Sequence, residues 1–396
     1  MTQPHIPALR VGMVGYAFMG AAHSHAWHTA PRFFDLPLRP EPAVLCGRSE
    51  PSVRTAAEKL GWADWETDWK RLVARDDIDV IDICTPGDTH AEIAVAALDA
   101  GKHVLCEKPL ANSVDEAELM AAAAERAAAR GVRAAVGFNY RRLPALALAR
   151  RLIAQGRLGT LHHVRAQYLQ DWLVDPDFPL TWRLRREKAG SGALGDLGAH
   201  AVDLAQYLTG QQITGVSALL ETLVPERPLP DAASGLSATG AGTARGRVTV
   251  DDAAAFTARF AGGAIGVFEA TRFATGRKNA LRIEVNGSLG SLAFDLESLN
   301  ELAFYDRAED PDTAAFRTIL VTEPNHPYMS AWWPAGHLIG YEHSFTHQVK
   351  DFTEAIAAGE QPSPSFADGL RVQRVLDAVA ASAADRSVWT TVPIDH

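Results

Sequence analysis

The chain has 396 residues, 47% hydrophobic and 22% charged, enough for two domains and a substantial core. Its formal net charge of −10 argues against a general nucleic-acid or anionic-membrane binder. No apolar run approaches the roughly 20 residues of a spanning helix, residues 1–10 lack the layout of a signal peptide, and Cys46, Cys84 and Cys106 read as reduced core residues of a cytoplasmic protein, with no two at zinc-ligand spacing.

Residues 9–15 read as a buried strand, followed by a helix from about Gly20. Strands at 43–46, 80–85, 103–106 and 134–138 then alternate with helices at 52–60, 89–100 and 113–129. That rhythm predicts βαβ units and a parallel sheet. Ser113 and Glu116 have the spacing of a capping box. After about 145 the rhythm changes. Helices are expected at 146–156 and 196–208, with strands at 162–172, 213–224, 247–260, 264–272, 281–285 and 292–294. Neighbouring strands without intervening helices predict a mainly antiparallel sheet, and Gly262-Gly263 marks a hairpin turn. Residues 229–246 read as a long loop, and helices at 341–358 and 366–384 close the chain. The expected architecture is α/β, with a nucleotide-binding domain over 1–145 and a second α/β domain over 146–396, the terminal helices packing back on the first.

Gly15-Tyr16-Ala17-Phe18-Met19-Gly20 follows a strand and opens a helix. This is G-x-G-x-x-G with Ala17 in the middle place, a spacing that lets backbone approach a pyrophosphate at a helix N-terminus. A tight turn without ligand is the plainer alternative. At the end of the second strand a carboxylate would bind a ribose 2′-hydroxyl. Gly47 stands there instead, followed by Arg48 and Ser49, which suit a 2′-phosphate and so favour NADP, with NAD as the other choice. A solvated Arg48, or one covering the adenine, is the alternative.

The strand at 103–106 ends in Glu107-Lys108-Pro109, which places a lysine where open α/β sheets bind ligands. Farther on, Asp196 and His200 lie four apart in a glycine-rich stretch, on one face of an expected helix. His200 suits proton transfer near neutral pH, and Asp196 suits orienting it or a substrate. An N-cap Asp196 beside a core His200 reads equally well from the sequence. Asp203 is expected to be a structural partner. A metal held by Glu107, Asp196 and His200 has no support in tight spacing, so no metal is expected. His23 and His25 are expected in the loop or at the helix start, near the cofactor.

Gly15–Gly20, Thr85-Pro86 with His90, Glu107-Lys108-Pro109, and Trp182-Arg183 ahead of Gly190–Asp203 together resemble the glucose–fructose oxidoreductase/inositol dehydrogenase (Gfo/Idh/MocA) family over nearly the whole chain. Phe138–Arg142, Tyr168–Trp172, Pro225–Pro228 and Glu269–Arg272 are similar to its levoglucosan dehydrogenase-like branch. The resemblance implies a Rossmann domain and a large open sheet that often forms a subunit interface, in a homodimer or homotetramer. It also implies hydride transfer between nicotinamide and a pyranose ring hydroxyl, expected at C3. Lys108, Asp196 and His200 would be catalytic. Gly15, Ala17, Phe18, Met19, Gly20, Gly47, Arg48, Ser49, Thr85, Pro86, His90, Glu107 and Lys108 would meet the cofactor. Tyr140, Gln170, Trp172 and Arg183 are candidate sugar contacts, with core packing the alternative for Tyr140 and Trp172. A cofactor-recycling glycosidase of the same fold and a non-enzymatic nucleotide sensor are the competing functions.

Overall fold

A computed structural model describes residues 6–230 and 244–395. They form two compact units, Met1–Arg142 with Gly340–Leu370 and Leu143–Ile339 with Arg371–His396.

The first unit runs β1 (Ala8–Val14), α1 (Phe18–Phe33), β2 (Arg39–Cys46), α2 (Glu50–Leu60), β3 (Asp64–Glu66), α3 (Trp69–Val73), β4 (Val80–Ile83), α4 (His90–Asp99), β5 (His103–Cys106), α5 (Val114–Ala128) and β6 (Ala134–Val136). The parallel strands lie in the order β3-β2-β1-β4-β5-β6, a doubly wound sheet whose topological switch falls between β1 and β4. Register matters more than order here. Val14 pairs with Cys46 and with Ile83, and Ile83 pairs with Cys106. The carboxyl ends of β1, β2, β4 and β5 therefore stand level, so the loops at Gly15, Gly47, Cys84 and Glu107 leave one edge together. Short β3 and α3 escape sequence reading because neither is long enough to show a period. Ser113 caps α5 by accepting the Glu116 N–H at 3.2 Å, while the Glu116 carboxylate reaches the Asn112 amide at 3.1 Å instead of closing the box on Ser113.

The second unit contains α6 (Pro144–Ala154), β7 (Leu161–Leu169), α7 (Arg186–Ala189), a π turn (Leu194–Gly198), α8 (Ala199–Thr209), β8 (Ile213–Glu221), β9 (Glu226–Pro228), β10 (Arg245–Arg247), β11 (Ala253–Phe260), β12 (Ile265–Thr271), β13 (Ala280–Gly287), β14 (Gly290–Asp295), β15 (Glu301–Asp306) and β16 (Arg317–Leu320). Nine strands, including the terminal β17 (Thr390–Thr391), form one sheet in the order β16-β15-β14-β13-β7-β12-β11-β8-β17. Only the β12–β7 pair is parallel. Along β11 the side chains alternate, with Ala254, Phe256, Ala258 and Phe260 buried. The strand expected over 247–260 is broken because Asp251 and Asp252 are used as caps. The Asp251 carboxylate accepts the Gly192 and Leu194 amides, each at 2.7 Å, and Asp252 accepts those of Leu223 and Val224. Most of the loop expected over 229–246 lies outside the described residues.

After β16, α9 (Glu342–Ala358) belongs to the first unit, where Phe345, Val349 and Phe352 join Trp27 and Ala30 of α1 in the core. Helix α10 (Phe366–Ala384) starts in the first unit and continues in the second. Among the described residues no helix is long and apolar enough to cross a membrane.

Candidate active site

In the first unit, β1 feeds a cradle of bare backbone. Gly15 has φ +101°, and a Cβ there would meet the Cys84 carbonyl oxygen at 2.6 Å. A Cβ on Gly20 would come within 2.3 Å of the Gly15 carbonyl oxygen. Both positions therefore exclude a side chain, and the middle place, Ala17, is the N-cap of α1. Helix α1 begins at Phe18, two residues before the expected start, and its first turn carries no acidic side chain. Phe18 is exposed and Met19 half-buried beside that N-terminus, which suits a pyrophosphate. The residues present thus fit a dinucleotide.

At the end of β2, Gly47 faces the Tyr16 ring so closely that a Cβ would meet Cε1 at 2.0 Å. Arg48 and Ser49 are exposed, and the Ser49 hydroxyl lies 3.0 Å from that of Ser52. Beyond β4, the Thr89 hydroxyl donates to the Thr85 hydroxyl at 2.7 Å, at the start of the Thr85-Pro86 turn. His90 is buried with both ring nitrogens on backbone oxygens, Nδ1 to Pro109 at 3.0 Å and Nε2 to Thr85 at 2.9 Å. It braces the loops after β4 and β5 against each other.

Lys108 is half-buried, and its peptide bond to Pro109 is cis. Glu107 is buried, and one of its carboxylate oxygens accepts the Lys108 backbone N–H at 3.2 Å. The other faces His23 Nε2 at 3.0 Å, and His23 Nδ1 faces both oxygens of buried Asp82 at 2.9 and 3.0 Å. Sequence reading put His23 in the loop or at the helix start and missed this. The available signal was its place on the face of α1 that also carries Gly20 and Trp27. Tyr140 is 3% exposed and packs edge-on against Tyr341.

The second unit gathers another set. Asp196 lies in the π turn and His200 in α8, so the single α-helix expected to carry both is interrupted between them. Inserted π turns of this kind are frequent at functional sites. One Asp196 oxygen lies 3.3 Å from Arg272 Nη2. The Arg272 guanidinium stacks over Trp172 at 5.4 Å. Trp172 Nε1 donates to Gln170 at 2.9 Å, Gln170 donates to Asn279 at 2.8 Å, and the Tyr168 hydroxyl donates to the same Asn279 oxygen at 2.7 Å. The Tyr168 ring lies 5.9 Å from that of His200. Arg183 stacks on Trp182 at 4.4 Å. Burial lowers the Arg183 pKa, an effect opposed by Asp196 and reinforced by Arg272. Arg272, Asn279 and Tyr168 were not expected as site residues. Arg272 occupies an inward place beyond Phe268 and Ala270, and a charge at that place in a period-2 pattern was the readable sign.

A Rossmann unit with a bare-backbone cradle, joined in sequence to an α/β unit with a large mixed sheet, defines a nicotinamide-dependent oxidoreductase architecture. Family models match in the same order, the oxidoreductase family with NAD-binding Rossmann fold over residues 9–138 and the GFO/IDH/MocA C-terminal domain over residues 146–293. The levoglucosan dehydrogenase of Pseudarthrobacter phenanthrenivorans is 42% identical across 97% of this chain and 98% of its own. An oxidoreductase domain protein from Kribbella flavida superposes with a TM-score of 0.93 at 65% identity, covering 98% of this chain and 100% of the other. A levoglucosan dehydrogenase in complex with NADH and levoglucosan superposes at 0.91 with 42% identity, over 98% and 99% of the two chains. The chain belongs to the Gfo/Idh/MocA family of oxidoreductases.

Proposed function

We propose that the protein oxidises a ring hydroxyl of a levoglucosan-type pyranose to a ketone, with C3 as the oxidised carbon. The observation that carries this reading is the cluster of the second unit. An indole, an amide pair, an arginine–carboxylate pair and a buried imidazole lie together there. The chain that holds them matches a levoglucosan dehydrogenase over nearly its whole length. An aromatic face with fixed polar groups is how such pockets orient a ligand.

A bound nicotinamide dinucleotide supplies the hydride acceptor. Lys108 holds the reacting oxygen and stabilises the negative charge that grows on it. His200 removes the hydroxyl proton as general base. Asp196, fixed by Arg272, accepts a hydrogen bond from a sugar hydroxyl, while Gln170, Trp172 and Arg183 meet the ring. Lys108 apart, residues 1–145 serve the cofactor, and 146–396 supply the other substrate contacts. The outward Leu219, Ile265 and Val267 on β8 and β12 support a subunit contact through the nine-stranded sheet, in a homodimer or homotetramer. A monomer mass in solution contradicts that contact.

For the cofactor, relatives in complex with NADH support NAD, and we take NAD as the working cofactor. The competing expectation of NADP rests on Arg48 and Ser49 alone. A Gly47→Asp variant is a poor test, because Tyr16 fills the space a side chain needs. Direct NADH and NADPH affinities, with Arg48→Ala in parallel, decide it. A tighter NADPH that Arg48→Ala weakens contradicts the choice of NAD. The activity itself is tested with a sugar and cyclitol panel, following cofactor reduction and assigning the product ketone by NMR. Reduction of NAD by levoglucosan with a C3 ketone is expected. No turnover with any pyranose contradicts the reading.

A further inference from the structure

Beneath the loop that carries Lys108 lies a chain of buried ionisable groups to which the proposed reaction gives no task. Asp82 on β4 is 0% exposed, His23 on α1 is 1% exposed and Glu107 is 4% exposed. Trp27 Nε1 donates to Asp82 Oδ2 at 2.7 Å, and the Cys84 thiol lies 3.6 Å from Asp82 Oδ1. From α9 the Phe345 ring lies 5.4 Å from the imidazole. The charged and titratable groups around it are Asp82 from β4, Cys84 just past its end, and Cys106 and Glu107 at the end of β5.

His23, Asp82 and Cys84 lie close enough together to ligate a metal, all their ligand atoms falling within 4.8 Å. Their chemistry points elsewhere. Both imidazole nitrogens face carboxylates, Asp82 already accepts an indole N–H, and burial raises the Cys84 thiol far from the thiolate a metal needs. A neutral imidazole has one N–H, so donating to both carboxylates takes the protonated ring. Burial is the largest single influence and would depress the imidazolium, but Asp82 and Cys84 together outweigh it and hold the His23 pKa well above its ordinary value.

We propose that His23 is a positioning residue for Lys108: clamped as an imidazolium between Asp82 and Glu107, it locks the Glu107 carboxylate that in turn holds the Lys108 backbone N–H. Glu107 spends one oxygen on His23 and the other on that amide, so the side chain links the core to the loop. Gly137 makes room for the arrangement. A Cβ there would stand 2.7 Å from Glu107 Oε1, the oxygen that faces His23. The functional consequence rests on the role given to Lys108 above.

The test uses the full-length protein with His23→Gln, Gly137→Ala and Lys108→Met. Hydrogen exchange at the Lys108 amide is measured for the first two. Levoglucosan kinetics with NAD and NADH affinity are measured for all three. His23→Gln is expected to speed exchange at that amide and lower kcat about 10- to 100-fold with KM unchanged. NMR should show an imidazolium at His23 in the unmodified protein at neutral pH. Gly137→Ala removes no ionisable group, and it should give the same pattern even where His23→Gln does not fold. Wild-type exchange and kcat in Gly137→Ala, or a neutral His23 imidazole, overturns the proposal. Full turnover in Lys108→Met instead overturns the role of Lys108, while the exchange data still judge the clamp.

Discussion

Arg272 is 1% exposed, and its Nε and Nη1 have no hydrogen-bond partner among the described residues. Burying a guanidinium costs several kcal/mol unless it is paired. The ion pair with Asp196 and the stack on Trp172 are what offset that cost here. Arg272→Met keeps the volume but frees Asp196 to swing. Because the Asp196 side chain is about a third exposed, the loss should appear in substrate binding more than in folding. KM for levoglucosan is expected to rise about tenfold, which corresponds to about 1.4 kcal/mol, with NADH affinity unchanged. Initial-rate kinetics check this, and an unchanged KM contradicts the role given to Asp196. Lys108, Asp196 and His200 could be nominated from the sequence because charges stand out against a strand end and a glycine-rich stretch. His23, Asp82, Asn279 and Arg272 were not, because their partners lie far away in sequence.

Helix α1 shows how an element carries the cradle. Its N-terminus meets the cofactor loop only because Gly20 approaches the Gly15 carbonyl closely. Gly20→Ala puts a methyl against backbone that cannot move aside cheaply. The expected cost is about 1–3 kcal/mol of stability, with weaker NADH binding, measured by thermal unfolding and by titration. Unaltered NADH affinity contradicts the assignment of this loop to the pyrophosphate. The buried strands β1, β4 and β5 were readable as unbroken apolar runs, and helices α5 and α10 from their composition and spacing. The π turn was not, since an α-helix with one inserted residue has nearly the same sequence signature. The strand expected over 247–260 failed for another reason, because Asp251 and Asp252 act as caps for distant amides. Strands β15 and β16 were missed as well. Both lie toward the edge of the sheet, where fewer buried side chains mark a pattern.

Across the molecule, buried histidines give stability a pH dependence of both signs. His347 is fully buried in the first unit, and burial pushes its pKa down to about 3; His103 is lowered to about 4, again chiefly by burial. Both must gain a proton on unfolding in acid, so the unfolded chain binds more protons and stability falls as pH drops below about 6.5 toward those values. His23 works the other way. Its raised pKa adds stability that is fully present below about pH 6.5 and is lost as pH rises through the folded-state value. Denaturant unfolding of the first unit across this range should show a fall on the acid side, and His23→Gln should flatten the alkaline limb. Stability that does not change between neutral pH and pH 4 contradicts the neutral state of His347 and His103.

The proposed chemistry has this oxidoreductase acting on a sugar hydroxyl held by Lys108. It is tested most directly by initial rates of levoglucosan-dependent NAD reduction in the unmodified protein and in Lys108→Met, with NADH affinity measured on both. Turnover is expected in the first, with a loss of about 100- to 1,000-fold in kcat in the second and equal NADH affinities. Comparable rates in the two proteins, or no levoglucosan oxidation by the unmodified one, would contradict it.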